Sequence, residues 1–257
     1  MATTQTSPIE KPATDEAASS VGVSPAPSEP APMMLESGAS HSAREFHELY
    51  AAYPDDTRFE LIDGEVRMAS PLHMPHAEGS EFTSFYFRFY KGLTPGVRGG
   101  EGLSVRLDEL DELQPDNCLF VPKELGGKAF LEKDNAGNET FLKGSPELVF
   151  EAANSSRSID FGRKMHVYAR AGVREYLVLD VGHHQLHWFS LPTKTRFTAG
   201  DDGVIRSEVM PGLWIRPEHF LQQDVSLAIE LLQEAAASDE HKAFAKELAD
   251  KRDAQAK

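Results

Sequence analysis

The order of hydrophobic patterns along this chain predicts an α/β fold, with a central mixed sheet flanked by helices. Three observations support the prediction: helical and strand-like segments alternate, two strand-like runs meet at Asp63-Gly64, and a buried-looking strand at 146–152 leads to a helix. With 257 residues, of which 40% are hydrophobic, the chain is long enough to bury a core without disulfides.

Composition divides the chain into three parts. Residues 1–42 are rich in Pro, Ser, Ala and Thr, which predicts a disordered tail because such a segment buries too little apolar surface to offset its ordering entropy. Residues 43–222 carry the helix and strand patterns of one domain. Residues 223–257 predict a C-terminal helix whose last third is a solvated, frayed end.

The first half of the domain predicts two helices around a hairpin. A short helix fits 43–52, and strands on either side of Asp63-Gly64 form the hairpin, because Gly adopts the positive φ of its turn at little cost. A second helix fits 76–93. Its aromatic stripe is interpreted as core packing and not as a base-stacking surface, the members being Phe82, Phe85, Phe89 and Leu93.

The second half predicts more strands and one helix. The helix fits 160–171 and ends at Gly172, and the polar segment 123–144 predicts a long loop. The strands are expected at 99–107, 117–121, 146–152, 175–181 and 185–191.

Charge and cysteine content limit the classes of protein to which this chain can belong. A net charge of −15 argues against a non-specific nucleic-acid coat protein, which would usually be basic, but it is compatible with carboxylates that hold metal ions. One cysteine, Cys118, excludes an intramolecular disulfide and fits a reducing compartment. No apolar run is long enough for a membrane helix and no signal peptide is recognisable, so we expect a cytoplasmic protein with no membrane partner.

Three residues have the types and the placement that metal-assisted phosphodiester hydrolysis requires. Asp116 begins one predicted strand, and Glu151 terminates the apolar run of another, where a carboxylate is costly unless it is paired or metal-bound. Lys164 lies on the helix that follows, from which its side chain can reach back over the strand end. Two acids on adjacent strands would hold the ion, and the lysine would hold the attacking water or offset developing charge.

Several blocks of sequence, taken in order, resemble the Uma-two family of bacterial restriction endonucleases, a branch of the PD-(D/E)XK superfamily. The blocks are 59–66 (FELIDGEV), Ser70-Pro71 with His76, Pro115-Asp116, 146–151 (PELVFE), Arg157 with Asp160 and Lys164, 168–176 (YARAGVREY), Asp180, and 210–214 (MPGLW). The resemblance covers about residues 44–222. Three departures leave the candidate catalytic groups in place: Asn117 stands where an apolar residue is usual, 152–156 replaces a Leu-Ser-Pro turn, and the loop 123–144 is longer than expected.

The resemblance implies a restriction-endonuclease-like fold, a Mg²⁺ (or Mn²⁺) cofactor, and an active site of Asp116, Glu151 and Lys164. Glu60 or Glu65 would add a carboxylate, and His76 would line the cleft. The implied function is a metal-dependent endonuclease that hydrolyses DNA phosphodiester bonds, and superfamily members often form homodimers to cut both strands. The alternative is a catalytically inactive module of the same fold that binds nucleic acid or a protein partner.

Structural alternatives stay open for each residue. Pro115-Asp116 is also a common turn pair. Glu151 has Arg157 and Arg163 as alternative partners, and Lys164 alone is typical of a solvated helix face.

Glu60 is expected to pair across strands with Arg67 as readily as to join a site. His76 favours a structural role as a helix cap. His183, His184 and His187 straddle Gly182, so we do not expect them to converge on a metal.

Overall fold

The computed structural model describes residues 34–54, 57–69, 73–133 and 137–255. Most of the predicted tail lies outside the described residues. Its last part packs against the domain: Leu35 is buried, and the Gly38 amide donates a hydrogen bond to the Val66 carbonyl. The part of the chain that contacts the sheet therefore begins before residue 43.

The helices of the described residues include three that follow one another at the C-terminal end of the chain. The helices are α1 (Ala43–Tyr50), α2 (Met74–Leu93), α3 (Arg157–Ile159), α4 (Met165–Ala171), α5 (Pro217–Leu221), α6 (Val225–Ala236) and α7 (Asp239–Gln255). A 3₁₀ turn spans Lys123–Leu125, and a π-helical turn at Asp160–Lys164 joins α3 to α4.

The strands are short, and most belong to two large sheets. They are β1 (Phe59–Ile62), β2 (Glu65–Met68), β3 (Arg98–Glu101), β4 (Val105–Arg106), β5 (Glu112–Leu113), β6 (Asn117–Phe120), β7 (Phe130–Lys133), β8 (Glu139–Lys143), β9 (Leu148–Ala153), β10 (Glu175–Asp180), β11 (Gln185–Ser190), β12 (Thr195–Arg196), β13 (Ile205–Arg206) and β14 (Trp214–Ile215).

The strand order makes both large sheets mixed. One has the order β2-β1-β5-β4-β8-β7, the other β12-β11-β10-β9-β6-β3, and β13 pairs with β14 apart from them. The parallel pairs are β9 with β10 and β4 with β8. The predicted α/β class with helices around mixed sheet is confirmed, with two sheets in place of one central sheet.

The hairpin at Asp63-Gly64 forms as the sequence predicts. Asp63 and Gly64 have φ of 53° and 75°, the two positive values that a two-residue turn of type I′ needs. The turn sets the register, in which Glu60 lies opposite Arg67 and Ile62 opposite Glu65.

Three apolar clusters hold these elements together. The largest packs α2 and the C-terminal helices against β9 and β10, with Trp188 and Phe150 buried in it. A second lies between the two large sheets and the α4 helix, and a third joins α1 to the β1–β2 hairpin. Strand β9 is buried along its whole length, which fits a strand covered on both faces.

The aromatic stripe of α2 packs as predicted. Phe82 is buried, and Phe85, Phe89 and Leu93 are partly buried against the largest cluster. Within the described part of the chain, every helix is too short or too polar to cross a lipid bilayer.

Four sequence expectations need correction. The segment 123–144 is not one loop: it holds the antiparallel pair β7–β8, although residues 134–136 lie outside the described residues. The strand expected at 99–107 is interrupted between β3 and β4.

The other two corrections concern helices. The helix expected at 160–171 begins at Arg157 and contains the π-helical turn. The C-terminal region forms two helices, and the second is not a frayed end, because His241 and Leu248 of α7 are buried.

Candidate active site

Strand register places Asp116 beside Glu151. Strands β6 and β9 are antiparallel, and Asn117 pairs with Phe150. The residue before Asn117 and the residue after Phe150 are therefore the next pair, and residues opposite each other on neighbouring strands share a face of the sheet. The Ala152 amide donates a hydrogen bond to Asp116 Oδ2 at 2.8 Å, which fixes the carboxylate against β9.

Lys164 reaches the same place from the helical segment. Its Nζ lies 3.1 Å from Glu151 Oε1 and 2.9 Å from Glu60 Oε1. Asp160 Oδ1 is 3.8 Å from the same nitrogen. The ammonium is thus surrounded by carboxylates from β1, β9 and the π-helical turn.

The burial of Lys164 excludes the structural alternative of a solvated helix residue. Only 9% of its side chain is exposed, and Asp160 is buried beside it. Residues four apart share one face of a helix, so the π-helical turn presents both side chains to the sheet. Such turns occur frequently at functional sites.

Tyr168, one turn further along in α4, completes the surroundings of Glu151. Its hydroxyl donates to Glu151 Oε1 at 2.9 Å. Glu151 itself lies within β9 and not at its end, because the strand continues through Ala153. This buried carboxylate therefore accepts hydrogen bonds from a phenol and an ammonium.

His76 contacts Asp116 and does not cap its helix. Its Nε2 lies 3.3 Å from Asp116 Oδ2, whereas the N-cap of α2 is His73. His76 Nδ1 is buried and has no hydrogen-bond partner among the described residues. His76 therefore joins the candidate site, in place of the structural role that the sequence favoured.

The surroundings of Glu151 and Asp116 shift the pKa values of these two carboxylates in opposite directions. Burial raises the pKa of Glu151 well above its ordinary value, and the charges of Asp116, Asp160 and Glu60 add to this effect, against the opposing charge of Lys164. For Asp116, burial also acts to raise the pKa, but the hydrogen bond and charge of His76 outweigh it and lower the pKa.

The two cations respond to the same carboxylates. Burial acts to lower the pKa of Lys164, but the charges of Glu151, Glu60 and Asp160 prevail and raise it well above the ordinary value. Burial likewise opposes a charge on His76, and the hydrogen bond to Asp116 reverses this and raises the pKa of the ring. The ammonium is therefore held firmly in its charged form.

These side chains line one pocket of about 220 Å³. Its walls are the β1–β2 hairpin, the ends of β6 and β9, the first turn of α2 and the α3 segment, and Ser37 adds to it from the segment before α1. Asp116, Glu151, Lys164, Glu60 and His76 all line it. No three His, Cys, Asp or Glu side chains among the described residues are already arranged as a metal-binding group.

Glu65 is the candidate residue that the fold leaves outside the pocket. It lies opposite Ile62 at the turn end of the hairpin, two residues (about 7 Å) further along than Glu60. Its carboxylate pairs with Arg163 Nη1 and Arg67 Nη2, both at 3.1 Å. The suggestion of Glu65 as an additional site residue is therefore not supported by its position.

The alternative ion pairs expected from sequence do not form. Glu60 lies opposite Arg67 but pairs with Lys164, and it also accepts from the Gln114 amide at 3.0 Å. Arg157 pairs with Asp180 and not with Glu151.

As the sequence predicts, the side chains of the three histidines around Gly182 do not come together around one point. His183 contacts Asp180, His187 stacks on Phe189, and His184 occupies a left-handed turn position.

Sequence reasoning missed two residues of the cluster, Asp160 and Tyr168. The signal for Asp160 was its spacing of four residues before Lys164, which places both on one helix face. Tyr168 follows Lys164 at the same spacing. Both belong to the helix that the sequence predicted, but nothing in their pattern separates a buried face from a solvated one.

Two comparisons match the chain to known proteins. The profile of the family Uma2, described as "Putative restriction endonuclease", matches residues 43–218. A crystal structure from Anabaena variabilis ATCC 29413, described as a "putative nuclease belonging to DUF820", is similar with a TM-score of 0.55 and 12% identity, covering 68% of this chain and 97% of that chain. At that identity the likeness shows the fold alone. No curated protein matches the chain.

Proposed function

This chain belongs to the Uma2 family, and on that premise we propose that it is a divalent-metal-dependent endonuclease that hydrolyses phosphodiester bonds of DNA. One observation carries the proposal. Lys164 Nζ lies 3.1 Å from Glu151 Oε1, and Asp116, the residue before β6, lines the same pocket. Two carboxylates and an ammonium, the groups that metal-assisted hydrolysis uses, are therefore brought into one pocket.

The donor set fits a magnesium-type ion. Asp116 and Glu151 offer hard carboxylate oxygens, and Mg²⁺ is usually bound by one or two carboxylates with waters completing its shell. Four carboxylates line the pocket, those of Glu60, Asp116, Glu151 and Asp160. Lys164 and His76 compensate part of this charge, and burial, together with the charges of the neighbouring carboxylates, raises the pKa of Glu151. Asp116 and Glu151 would hold Mg²⁺ or Mn²⁺.

Each residue then has a defined part in the reaction. A bound Mg²⁺ would neutralise charge on the phosphate oxygens and make an attacking water more acidic. Lys164 would donate a hydrogen bond to that water and offset the negative charge that develops on the phosphorus oxygens. Glu60 pairs with the same ammonium as Glu151 and so helps to fix its direction. The water would add to phosphorus, the P–O bond to the leaving oxygen would break, and the proton that the water gives up would end on that oxygen.

A second candidate is a catalytically inactive module that binds nucleic acid or a protein partner. The observation that favours it is the internal pairing of the site: the Lys164 ammonium already pairs with both Glu60 and Glu151, so these carboxylates have a cationic partner without a bound metal. The net charge of −15 adds to this argument.

A cleavage assay tests the proposal. Supercoiled, linear and single-stranded DNA are incubated with the protein in Mg²⁺, in Mn²⁺ and in a chelator. We expect metal-dependent cleavage that Asp116→Asn reduces by about 100-fold or more, since a ligand of the ion is lost. The matched control is Asp253→Asn, which removes a carboxylate that is 74% exposed on α7 and should cleave like wild type.

No metal-dependent cleavage of any of these DNAs would favour the inactive module. Equal cleavage by wild type and Asp116→Asn would refute the assignment of the site.

A further inference from the structure

The β1–β2 hairpin presents two different faces. Phe59, Leu61 and Val66 are buried in the cluster beneath α1. Strand side chains alternate between faces, and the opposite face carries Arg58, Glu60 and Ile62 of the first strand, all of which line the active-site pocket. The Ala69 amide donates to the Arg58 carbonyl, so the ladder continues to this residue.

Arg58 is a positively charged residue on the pocket-lining face of the hairpin. Its side chain is solvent-exposed and lines the pocket, yet it makes no hydrogen bond or ion pair with any residue that the structure describes. Its guanidinium lies over Gly102, where an added Cβ would come within 3.4 Å of Nη2. Arginine in such a position keeps its planar set of donors free for an incoming anion.

Arg67 lines the same pocket, and only some of its hydrogen-bond donors have a partner. It lies opposite Glu60 in register, but Glu60 pairs with Lys164. Arg67 Nη2 donates to Glu65 at 3.1 Å, and its Nε is buried without a partner in the described structure. A buried donor with no acceptor is unusual in a folded protein, and each such group calls for an explanation.

We propose that Arg58 and Arg67 bind phosphates of the DNA backbone beside the bond that Asp116 and Glu151 address, an inference that rests on the proposed function. Guanidinium groups pair with phosphate oxygens through two parallel hydrogen bonds. The hairpin then lines the pocket with two arginines as well as Glu60, while Asp116, just before β6, and Glu151, within β9, line it as well. A chain with net charge −15 can thereby attract a polyanion locally.

The size of the pocket supports a backbone segment as the occupant. At about 220 Å³ it lies below the range of roughly 300–1,000 Å³ that is typical of pockets for whole small molecules. It therefore suits a phosphate with part of its sugar, while the rest of the strand stays outside. Contacts of this kind position the strand and carry no sequence information.

A binding experiment without metal separates this inference from catalysis. The full-length protein is titrated into a fluorescently labelled DNA duplex and, separately, a single strand, in a chelator, and anisotropy is read at several salt concentrations. The variants are Arg58→Gln, Arg67→Gln and Arg58→Lys, with Arg252→Gln as the matched control, since Arg252 is 58% exposed on α7. Thermal unfolding of each variant verifies that it is folded.

We expect each Arg→Gln change in the hairpin to remove one phosphate contact. When salt rises from about 50 to about 200 mM, the affinity of wild type should fall by a factor about 3.5 times larger than the factor by which the affinity of either variant falls. The reason is that each contact contributes about 0.9 to the salt slope. Arg58→Lys should keep the slope, and Arg252→Gln should bind like wild type.

Wild-type affinity and slope in both glutamine variants would overturn the inference, and so would a failure of wild type to bind DNA. If those variants bind normally while wild type cleaves DNA with Mg²⁺, only the inference fails. If they bind weakly with the reduced slope and wild type never cleaves, the proposed endonuclease activity fails and the phosphate-binding role of the two arginines stands.

Discussion

Lys164 Nζ lies 3.1 Å from Glu151 Oε1 although the two residues are thirteen positions apart along the chain, and both side chains are buried. The strand β9 supplies the carboxylate, and the π-helical turn supplies the ammonium. This pair joins the sheet to the helical segment at the centre of the pocket. It therefore links the stability of the fold to the chemistry that we propose.

Replacement of Lys164 should destabilise the protein as well as abolish cleavage. In Lys164→Met, Glu60, Glu151 and Asp160 lose their shared cation, and the removal of one partner of a buried ion pair costs about 3–5 kcal/mol. Urea unfolding measures this loss. Lys251→Met, which breaks a surface pair with Glu247, should cost less than about 1 kcal/mol.

The double variant Lys164→Met/Glu151→Gln shows whether the loss arises from the pair. Because the neutral amide needs no countercharge, it should recover part of the stability that Lys164→Met loses. Equal urea midpoints for wild type and Lys164→Met would mean that the buried pair does not form.

Asp160 should make stability depend on pH. Burial, offset only in part by Lys164, raises the pKa of Asp160 from 3.8 to about 6. The folded state then holds the proton more tightly than the unfolded state, so this contribution to stability is present below about pH 4 and is lost as pH rises through about 6. Asp160→Asn removes it, and its stability should fall less between about pH 4.5 and about pH 7 than that of wild type.

Urea midpoints at the two pH values measure the difference, with Asp253→Asn as the exposed control. Parallel changes in wild type and Asp160→Asn would contradict the raised pKa.

Cys118 should resist alkylation in the folded protein. It is fully buried in β6, and burial raises the pKa of its thiol to about 11. At neutral pH this leaves about 100-fold less thiolate than the ordinary value of about 9 allows. Mass spectrometry after iodoacetamide treatment should show labelling only in denaturant, whereas rapid labelling of the native protein would place Cys118 outside the core.

The sequence predicted those features that depend on local rules. Asp63-Gly64 specified its hairpin because the turn needs two positive φ values, and the apolar run before Glu151 specified a buried strand. The sequence also led us to expect Asp116 and Glu151 on neighbouring strands, and β6, which begins one residue after Asp116, pairs with β9.

Features that depend on tertiary packing could not be predicted. The burial of Lys164 and Asp160 depends on a π-helical turn that the sequence pattern does not predict. Glu60 and Glu65 look equivalent in sequence, but the register and the competing Arg163 separate them. The hairpin β7–β8 was hidden by its polar composition, since only Phe141 and Leu142 of β8 are buried.

Calorimetric titration with Mg²⁺ tests the central claim, that Asp116 and Glu151 jointly hold one cation beside Lys164. Wild type should bind one ion, Asp116→Asn and Glu151→Gln should lose the binding heat while remaining folded, and Glu65→Gln should bind like wild type because Glu65 lies outside the pocket. An absence of Mg²⁺ binding in wild type, or undiminished binding in Asp116→Asn, would contradict the account.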